Sequence, residues 1–206
     1  MYDQKRGGMT EFDRQVDVLV QREYPSLLGY SEPEFRARTE PLRALAERIV
    51  TEPERPGARF ALVTPVPPRE SMPRTALGSR PGFVDRLLPD VEKFAPIEEV
   101  GELPSFYLVS TVERGEEFCG WVPDKAMLTV AERGRTPLTI AEGIALLTTH
   151  PELLERNKCF SLGGSRCGDR RVPALWISQK APKLGWCWAG NPHTWLGMAS
   201  CGNRLY

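Results

Sequence analysis

The sequence predicts an α+β fold in which N-terminal helices pack on a mainly antiparallel C-terminal sheet. Apolar residues follow helical spacing in the first 50 positions, whereas short runs with a period of two follow residue 158. Helices therefore come first and strands mostly last, which is typical of α+β folds and not of wound parallel sheets. The 206 residues show no internal repeat and no linker, so we expect a disordered leader over 1–9 and a single domain over 10–206.

Two helices are expected before residue 51. Thr10 can cap a helix over 10–24 whose apolar side chains share one face. Ser31 and the glutamate three residues later form a capping box for a second helix over 31–50. Because Pro41 lies inside that pattern, we expect a kink or two short helices there.

Two later helices carry their own boundary signals. A short helix is predicted over 123–133, where a glycine follows as a stop signal. The clearest helix start in the chain is the capping box of Thr139 and Glu142, which predicts a helix over 140–149.

Short apolar runs with strand character follow one another along the chain. They cover residues 59–64, 106–112, 158–162, 172–178, 183–188 and 195–200. Turn-forming sequences join the last four runs, which predicts an antiparallel meander. Residues 65–82 contain five prolines and are expected to form a long irregular loop, either functional or disordered, and 83–95 look weakly helical.

The charges balance over the whole chain but not along it. Lys plus Arg and Asp plus Glu each number 27, which argues against a general nucleic-acid binder. Residues 157–206, however, contain seven Lys or Arg and a single Asp, so residues 1–156 carry the compensating excess of acids. The two parts can simply complement each other in the fold, or the basic end can receive an anionic ligand.

The N-terminal residues point to a cytoplasmic protein. They lack the apolar region of a signal peptide, and no run of eighteen apolar residues could span a membrane. We therefore expect no membrane partner and five cysteines that are mostly free thiols.

Two stretches concentrate residues suited to ligand binding. Residues 182–197, PKLGWCWAGNPHTWLG, contain three tryptophans and a histidine, and residues 166–171 contain three arginines. Guanidinium groups suit phosphate or carboxylate, and indole rings stack on planar molecules. The candidate ligand-binding residues are Arg166, Arg170, Arg171, Asn191, Trp186, Trp188 and Trp195. Aromatic residues in a meander are more often core residues, so both interpretations stay open.

A nucleophilic site is a second hypothesis for the same region. Its catalytic candidates are Cys167 as nucleophile, His193 as base and Asp169, or else Asn191, as the group that orients the histidine. The neighbouring arginines are expected to lower the pKa of the Cys167 thiol. Two strand passes of a meander return the chain to the same end, so the turn over 166–171 is expected to approach the Asn-Pro-His turn.

A zinc site is a third hypothesis. The potential ligands are Cys159, Cys167, Cys187, His193 and Cys201. No pair of cysteines has the two-residue spacing of a zinc knuckle, and buried thiols of a strand core explain the same residues. We therefore predict no structural metal and assign no cofactor.

The strings CFSLGGSRCGDRRVPALWIS (159–178) and PKLGWCWAGNPHTWLG resemble a family of bacterial proteins, common in actinobacteria, that is described as a domain of unknown function. The pieces EPLRAL, SRPGFVD and GRTPLTIAEGIALLTTHPELL are similar to that family as well. The resemblance covers most of the chain from about residue 10. It implies a soluble cytoplasmic bacterial protein, and it brings no activity, cofactor or catalytic residue.

The function predicted from these observations is binding of a small anionic or planar ligand at the turns of the C-terminal sheet. A Cys/His-dependent transferase or hydrolase is the first alternative, and a protein–protein interaction module is the second.

Overall fold

The computed structural model describes residues 10–50 and 57–206, so the predicted leader over 1–9 lies outside the described residues. The helices are α1 (Glu11–Gln21), α2 (Tyr24–Leu27), α3 (Glu32–Thr39), α4 (Arg43–Val50), α5 (Pro68–Ser71), α6 (Pro123–Glu132) and α7 (Ile140–Thr149). The strands are β1 (Ala58–Val63), β2 (Ala76–Leu77), β3 (Arg80–Pro81), β4 (Phe83–Val84), β5 (Ala95–Pro96), β6 (Tyr107–Val112), β7 (Thr136–Pro137), β8 (Cys159–Ser161), β9 (Ser165–Arg166), β10 (Arg171–Ser178), β11 (Ala181–Trp188), β12 (Leu196–Met198), β13 (Ser200–Cys201) and β14 (Asn203–Leu205). Within these two described ranges, no helix combines the length and the apolar character that crossing a bilayer requires.

The predicted helix starts are confirmed by their caps. The hydroxyl oxygens of Thr10, Ser31 and Thr139 each accept a hydrogen bond from the backbone N–H three residues on. The first helix ends earlier than predicted, because Glu23 adopts a left-handed conformation between α1 and α2. The expected break at Pro41 is also confirmed, since a 3₁₀ turn separates α3 from α4.

The α+β class with mainly antiparallel sheets is confirmed, but the N-terminal helices pack on a sheet that the meander does not form. Strands β1, β6 and β14 pair antiparallel in the order β1-β6-β14. One face of this sheet carries Phe60, Leu62 and Leu108, which pack against apolar residues of α1 to α4. The sheet therefore brings together three segments that are far apart in the sequence.

The second sheet has five strands in the order β12-β8-β10-β11-β4. Strands β8, β10 and β11 form the antiparallel part that the sequence predicts. The prediction of a complete meander is wrong, because β12 does not follow β11 but pairs parallel with β8. The chain between β11 and β12, residues 189–195, crosses back over the sheet. This crossing segment carries residues of the candidate site.

Two predictions for the middle of the chain are also wrong. Residues 65–82 are not an irregular loop throughout, since they form α5, a 3₁₀ turn and the small β2–β3 hairpin. Residues 83–95 begin with β4 and contain only one 3₁₀ turn. Strand β11 supplies the hydrogen-bond partner of this segment, as in the 2.7 Å bond from Asp85 N to Leu184 O, and this tertiary pairing outweighs weak helix propensity.

Helix α7 lies between the two sheets and is buried on nearly every side. Its apolar residues pack in one core with the inner faces of both sheets. A Cβ atom at Gly143 would lie 2.5 Å from a methyl group of Leu162, so glycine is what lets the helix approach the five-stranded sheet so closely.

A buried ion pair holds the start of α7. Arg204 of β14 donates from Nε and Nη2 to the Glu142 carboxylate at 2.6 and 2.9 Å, and Glu142 is fully buried. Burial lowers the pKa of Arg204, but the hydrogen bonds and charge of Glu142 outweigh it, so the pKa is raised. Tyr107 of β6 donates to the same carboxylate at 3.2 Å, and burial together with Glu142 raises the pKa of its hydroxyl. The pair thus fastens the central strand and one edge strand of the three-stranded sheet to one helix.

Replacing Arg204 by Met should lower the free energy of unfolding by about 3–5 kcal/mol, because it leaves a buried carboxylate without its partner. Urea denaturation measures this, and the double variant Arg204→Met, Glu142→Gln should recover part of the loss. Arg69→Met, which removes an exposed pair with Glu92, is the control and should cost about 1 kcal/mol or less. Equal losses for the two single variants would contradict the assignment.

Candidate functional site

An aromatic groove lies beside the β10–β11 hairpin. It has two halves, of about 370 and about 290 Å³, that share Trp176 and Trp195 as walls. Volumes of this order are typical of small-molecule sites. The larger half is also lined by Trp186, Cys187, Trp188, Asn191, His193 and Leu196. The smaller half is also lined by Arg156, Asn157, Cys159 and Ile177. We call the two halves together the aromatic groove.

The hairpin register places Trp176 in the groove. Trp176 lies opposite Lys183, and its ring extends diagonally over Gly185, where an added Cβ would meet ring atom Cη2 at 2.2 Å. The ring of Trp195 meets Trp176 edge-on, with centroids 6.0 Å apart. These two rings form the wall that the two halves share. Trp176 was not among the predicted site residues, although its aromatic side chain and strand position were visible.

Trp186 and Trp188 occupy the opposite face of β11 and reach the groove at its edge. Their rings are in T-shaped contact at 4.8 Å. Trp186 donates from Nε1 to the carbonyl of Leu87 at 3.0 Å, so it has a structural role as well, whereas Trp188 is 47% exposed. Of the three predicted tryptophans, Trp188 and Trp195 are thus freer to contact a ligand than Trp186.

The segment that crosses from β11 to β12 supplies the polar lining. The backbone N–H of Asn191 donates to Trp188 O at 3.0 Å, and the His193 carbonyl accepts from Gly120 N at 2.8 Å. The imidazole of His193 lies 5.4 Å from the Trp195 ring. Neither the Asn191 amide nor the His193 imidazole forms a hydrogen bond with any residue of 10–50 or 57–206. Two polar groups in this groove therefore have hydrogen-bonding capacity to spare.

Cys187 lies beneath this polar lining. It lines the groove and also a water-sized inner cavity of about 10 Å³, and His193 and Asn191 line both as well. Burial raises the pKa of the Cys187 thiol, against the opposing effects of Ser161 and Arg166. The cysteine that shares a cavity with His193 is therefore Cys187, which the sequence presents only as a potential zinc ligand.

Arg171 has its guanidinium group occupied by protein partners. It forms a bidentate pair with Asp90 at 2.9 and 2.7 Å, and Nε donates to Asp169 at 2.7 Å. The arginine holds the pKa of Asp90 at about 2. The ring of Phe94 covers the guanidinium group at 5.2 Å. We therefore interpret Arg171 as a structural residue, and its predicted role in ligand binding gains no support from these contacts.

Arg166 and Arg170 share a carboxylate. Arg166 Nη2 lies 3.9 Å and Arg170 Nη2 3.7 Å from the oxygens of Asp124 at the start of α6. Arg166 also donates to the Arg171 carbonyl at 3.1 Å, and burial lowers its pKa. Arg170 is far more open, with 71% of its side chain exposed.

Of the turn over 166–171, Arg170 is the residue that contacts the segment between β11 and β12. Its guanidinium group lies over Gly190, the residue before Asn191, and its carbonyl accepts from Ala189 N at 2.8 Å. Cys167 instead contacts Arg171, whose Nη2 donates to its sulfur at 3.3 Å. The aromatic groove and the inner cavity, both lined by His193, do not include Cys167.

The Cys167 thiol is not activated in the expected way. Burial raises its pKa, and so does the hydrogen bond that it donates to Asp169, whereas Arg171 opposes both effects. The predicted lowering of this pKa is therefore wrong. Asp169, which the sequence suggests as the group that orients His193, instead accepts a hydrogen bond from the Cys167 thiol and thereby raises its pKa.

The basic C-terminal residues are largely neutralised within the fold. Six of the seven cations after residue 157 pair with carboxylates, namely Lys158 with Glu116 and Glu155, Arg166 and Arg170 with Asp124, Arg171 with Asp90 and Asp169, Lys183 with Asp85, and Arg204 with Glu142. All of these acids except Asp169 precede residue 157. The two parts of the chain therefore complement each other, which is the simpler of the two interpretations of the charge asymmetry.

The metal hypothesis has no geometric support in the described residues. Within 10–50 and 57–206, no three His, Cys, Asp or Glu side chains are grouped so that they could hold a metal ion. All five cysteines are free thiols.

The family comparison agrees with the resemblance noted in the sequence. The model of a family of unknown function (DUF5701) matches residues 18–206. The chain belongs to this family. Comparisons with curated proteins and with solved structures gave no match. The matched range of this DUF5701 member includes every residue of the aromatic groove.

Replacing Gly185 by Ala should displace the Trp176 ring and destabilise the protein by about 1–3 kcal/mol, because the new methyl group overlaps ring atoms. Urea denaturation measures the loss, and near-UV circular dichroism reports the indole environment. A Trp176→Leu background removes the obstacle, so Gly185→Ala should cost much less there. The same loss in both backgrounds would mean that Trp176 does not rest on Gly185.

Replacing Asp169 by Asn should make Cys167 more reactive. The variant removes a carboxylate that raises the thiol pKa, so the thiolate forms at lower pH. Alkylation with iodoacetamide between pH 6 and pH 10, followed by peptide mass spectrometry, gives the profile of each cysteine. We expect the Cys167 profile to shift to lower pH in the variant while that of Cys119 stays in place.

Proposed function

We propose that the protein binds a small planar molecule in the aromatic groove. The observation that carries this proposal is the combination of an aromatic wall and free polar groups: Trp176 and Trp195 form the wall, and His193 lies beside Trp195 with an imidazole free to hydrogen-bond. Aromatic walls with a few polar groups are typical of small-molecule sites.

The aromatic and polar side chains that the groove leaves open support a binding role. The exposed face of Trp188 is available to a ligand, and the His193 imidazole, which lies against Trp195, makes no hydrogen bond with a described residue. Both become useful when a flat ring stacks on the indole and a polar edge reaches the imidazole. The groove therefore matches the planar part of the ligand predicted from the sequence.

The Cys/His-dependent enzyme has less support than binding. A nucleophilic cysteine requires a thiolate at neutral pH, yet the pKa values of Cys167 and Cys187 are both raised by burial. The interaction module remains the other alternative, and a groove that accepts no small planar molecule would favour it.

Titration with indole tests the proposal. Protein NMR that follows the indole N–H signals should show shifts for Trp195 and Trp176 on adding indole. Trp195→Leu should weaken binding about tenfold, the loss of one stacking contact of about 1.4 kcal/mol.

Trp121→Leu is the matched control. Trp121 packs against Phe118 and lines the inner cavity but not the groove, so this variant should retain the affinity of the unmodified protein. Circular dichroism must show that both variants are folded. Equal affinities for the two folded variants, or shifts confined to Trp121, would contradict binding in the groove.

A further inference from the structure

Arg156 is a cation at the edge of the groove that has no ion-pair partner among the described residues. It lines the smaller half, next to Asn157, and its side chain is exposed. It forms no hydrogen bond or ion pair with any residue of the described ranges, in contrast to the arginines of the turn over 166–171. A guanidinium group without a partner, at the rim of an aromatic groove, is a ready donor for an anion.

The turn that carries Arg156 is held in place by its neighbours. Lys158 N donates to Glu155 O at 3.1 Å, and Asn157 has the positive φ of 63° that asparagine tolerates well. Glu155 accepts from Arg114 at 2.7 Å and lies 3.4 Å from Lys158 Nζ. Because Glu155 already has two cationic partners, Arg156 projects from a fixed turn without being drawn to the adjacent carboxylate.

The electrostatics of the groove favour an anion. Its charged and titratable lining consists of Arg156 in one half and His193 in the other, with two thiols whose pKa values burial raises, and no described lining residue carries a carboxylate. Since Asp and Glu are as numerous as Lys and Arg in this chain, a lining without any acid is a local feature of the groove. A carboxylate in the smaller half would meet the Arg156 guanidinium group, and the nearby acids Asp85 and Glu155 already pair with Lys183 and with Arg114 and Lys158.

We propose that Arg156 binds the anionic group of the ligand, so that the groove takes an aromatic acid whose ring stacks at Trp176 and Trp195 and whose carboxylate reaches Arg156. This inference rests on the proposed function. It moves the anion-binding role away from Arg166, Arg170 and Arg171 to a residue just before the basic segment. The two shared tryptophans place the ring between Arg156 on one side and His193 on the other.

A pair of probes with the same ring separates charge from stacking. Indole-3-acetate carries a carboxylate, and indole-3-acetamide is its neutral counterpart of nearly equal size. The unmodified protein should bind the acetate roughly 3- to 10-fold more tightly, the range for a charge-assisted hydrogen bond at an exposed site. Raising the salt concentration should reduce this preference.

Arg156→Gln should abolish the preference while leaving acetamide binding intact, and Arg156→Lys should retain part of it because the charge remains without the planar fork. Arg80→Gln is the matched control, since Arg80 is exposed, has no ion pair with a described residue and lies outside the groove. It removes the same charge and should keep the preference.

The outcomes distinguish the two proposals. Equal binding of the two probes by the unmodified protein, or an unchanged preference in Arg156→Gln, overturns the role of Arg156 and leaves the groove as a site for planar molecules. Failure of both probes and of indole to bind overturns the proposed function and this inference with it.

Discussion

The buried pair of Glu142 and Arg204 is the constraint on which the arrangement of layers depends. Helix α7 lies between the two sheets, so its position sets their spacing, and the pair fixes its first turn to the last strand of the chain. Burying two charges is unfavourable, and the penalty is offset only because Thr136, Pro137, Tyr107 and the helix cap provide further hydrogen bonds. The five-stranded sheet, whose β10–β11 hairpin borders the groove, packs on α7 from the other side.

The distribution of charge follows a similar logic. A chain with an acidic first part and a basic end can appear ready for an anionic ligand, yet most of the basic side chains have carboxylate partners from the earlier part. Arginine pairs such as Arg171 with Asp90 hold the loop before β5 against the hairpin, which is a structural task. Only where the fold leaves a guanidinium group unpaired, as at Arg156, does the charge become available to another molecule.

The sequence predicts those parts of the fold that depend on local chemistry. The capping boxes at Ser31 and Thr139 are short-range hydrogen-bond patterns, and the helices start where they indicate. The parallel pairing of β12 with β8 depends on contacts between segments far apart in the chain, which periodicity does not encode. The same holds for the site: tryptophan content identifies the region, but only the pairing register reveals that Trp176 lies over Gly185. Arg156 has no distinguishing signal in the sequence, because what sets it apart is its place in the groove together with the absence of a partner among the described residues.

The error in the predicted topology also explains the location of the site. In a complete meander the Asn-Pro-His turn would be a tight connection at the end of the sheet, with its side chains directed to solvent. Because β12 pairs with β8 instead, the chain must cross the sheet after β11, and this crossing carries Asn191, His193 and Trp195 over the hairpin. Trp195 thereby reaches Trp176. The Trp195 carbonyl also accepts a 3.0 Å hydrogen bond from the backbone N–H of Cys159, which follows the turn that carries Arg156. The parallel pairing of one short strand thus brings the aromatic wall, the imidazole and the unpaired guanidinium group to a single groove.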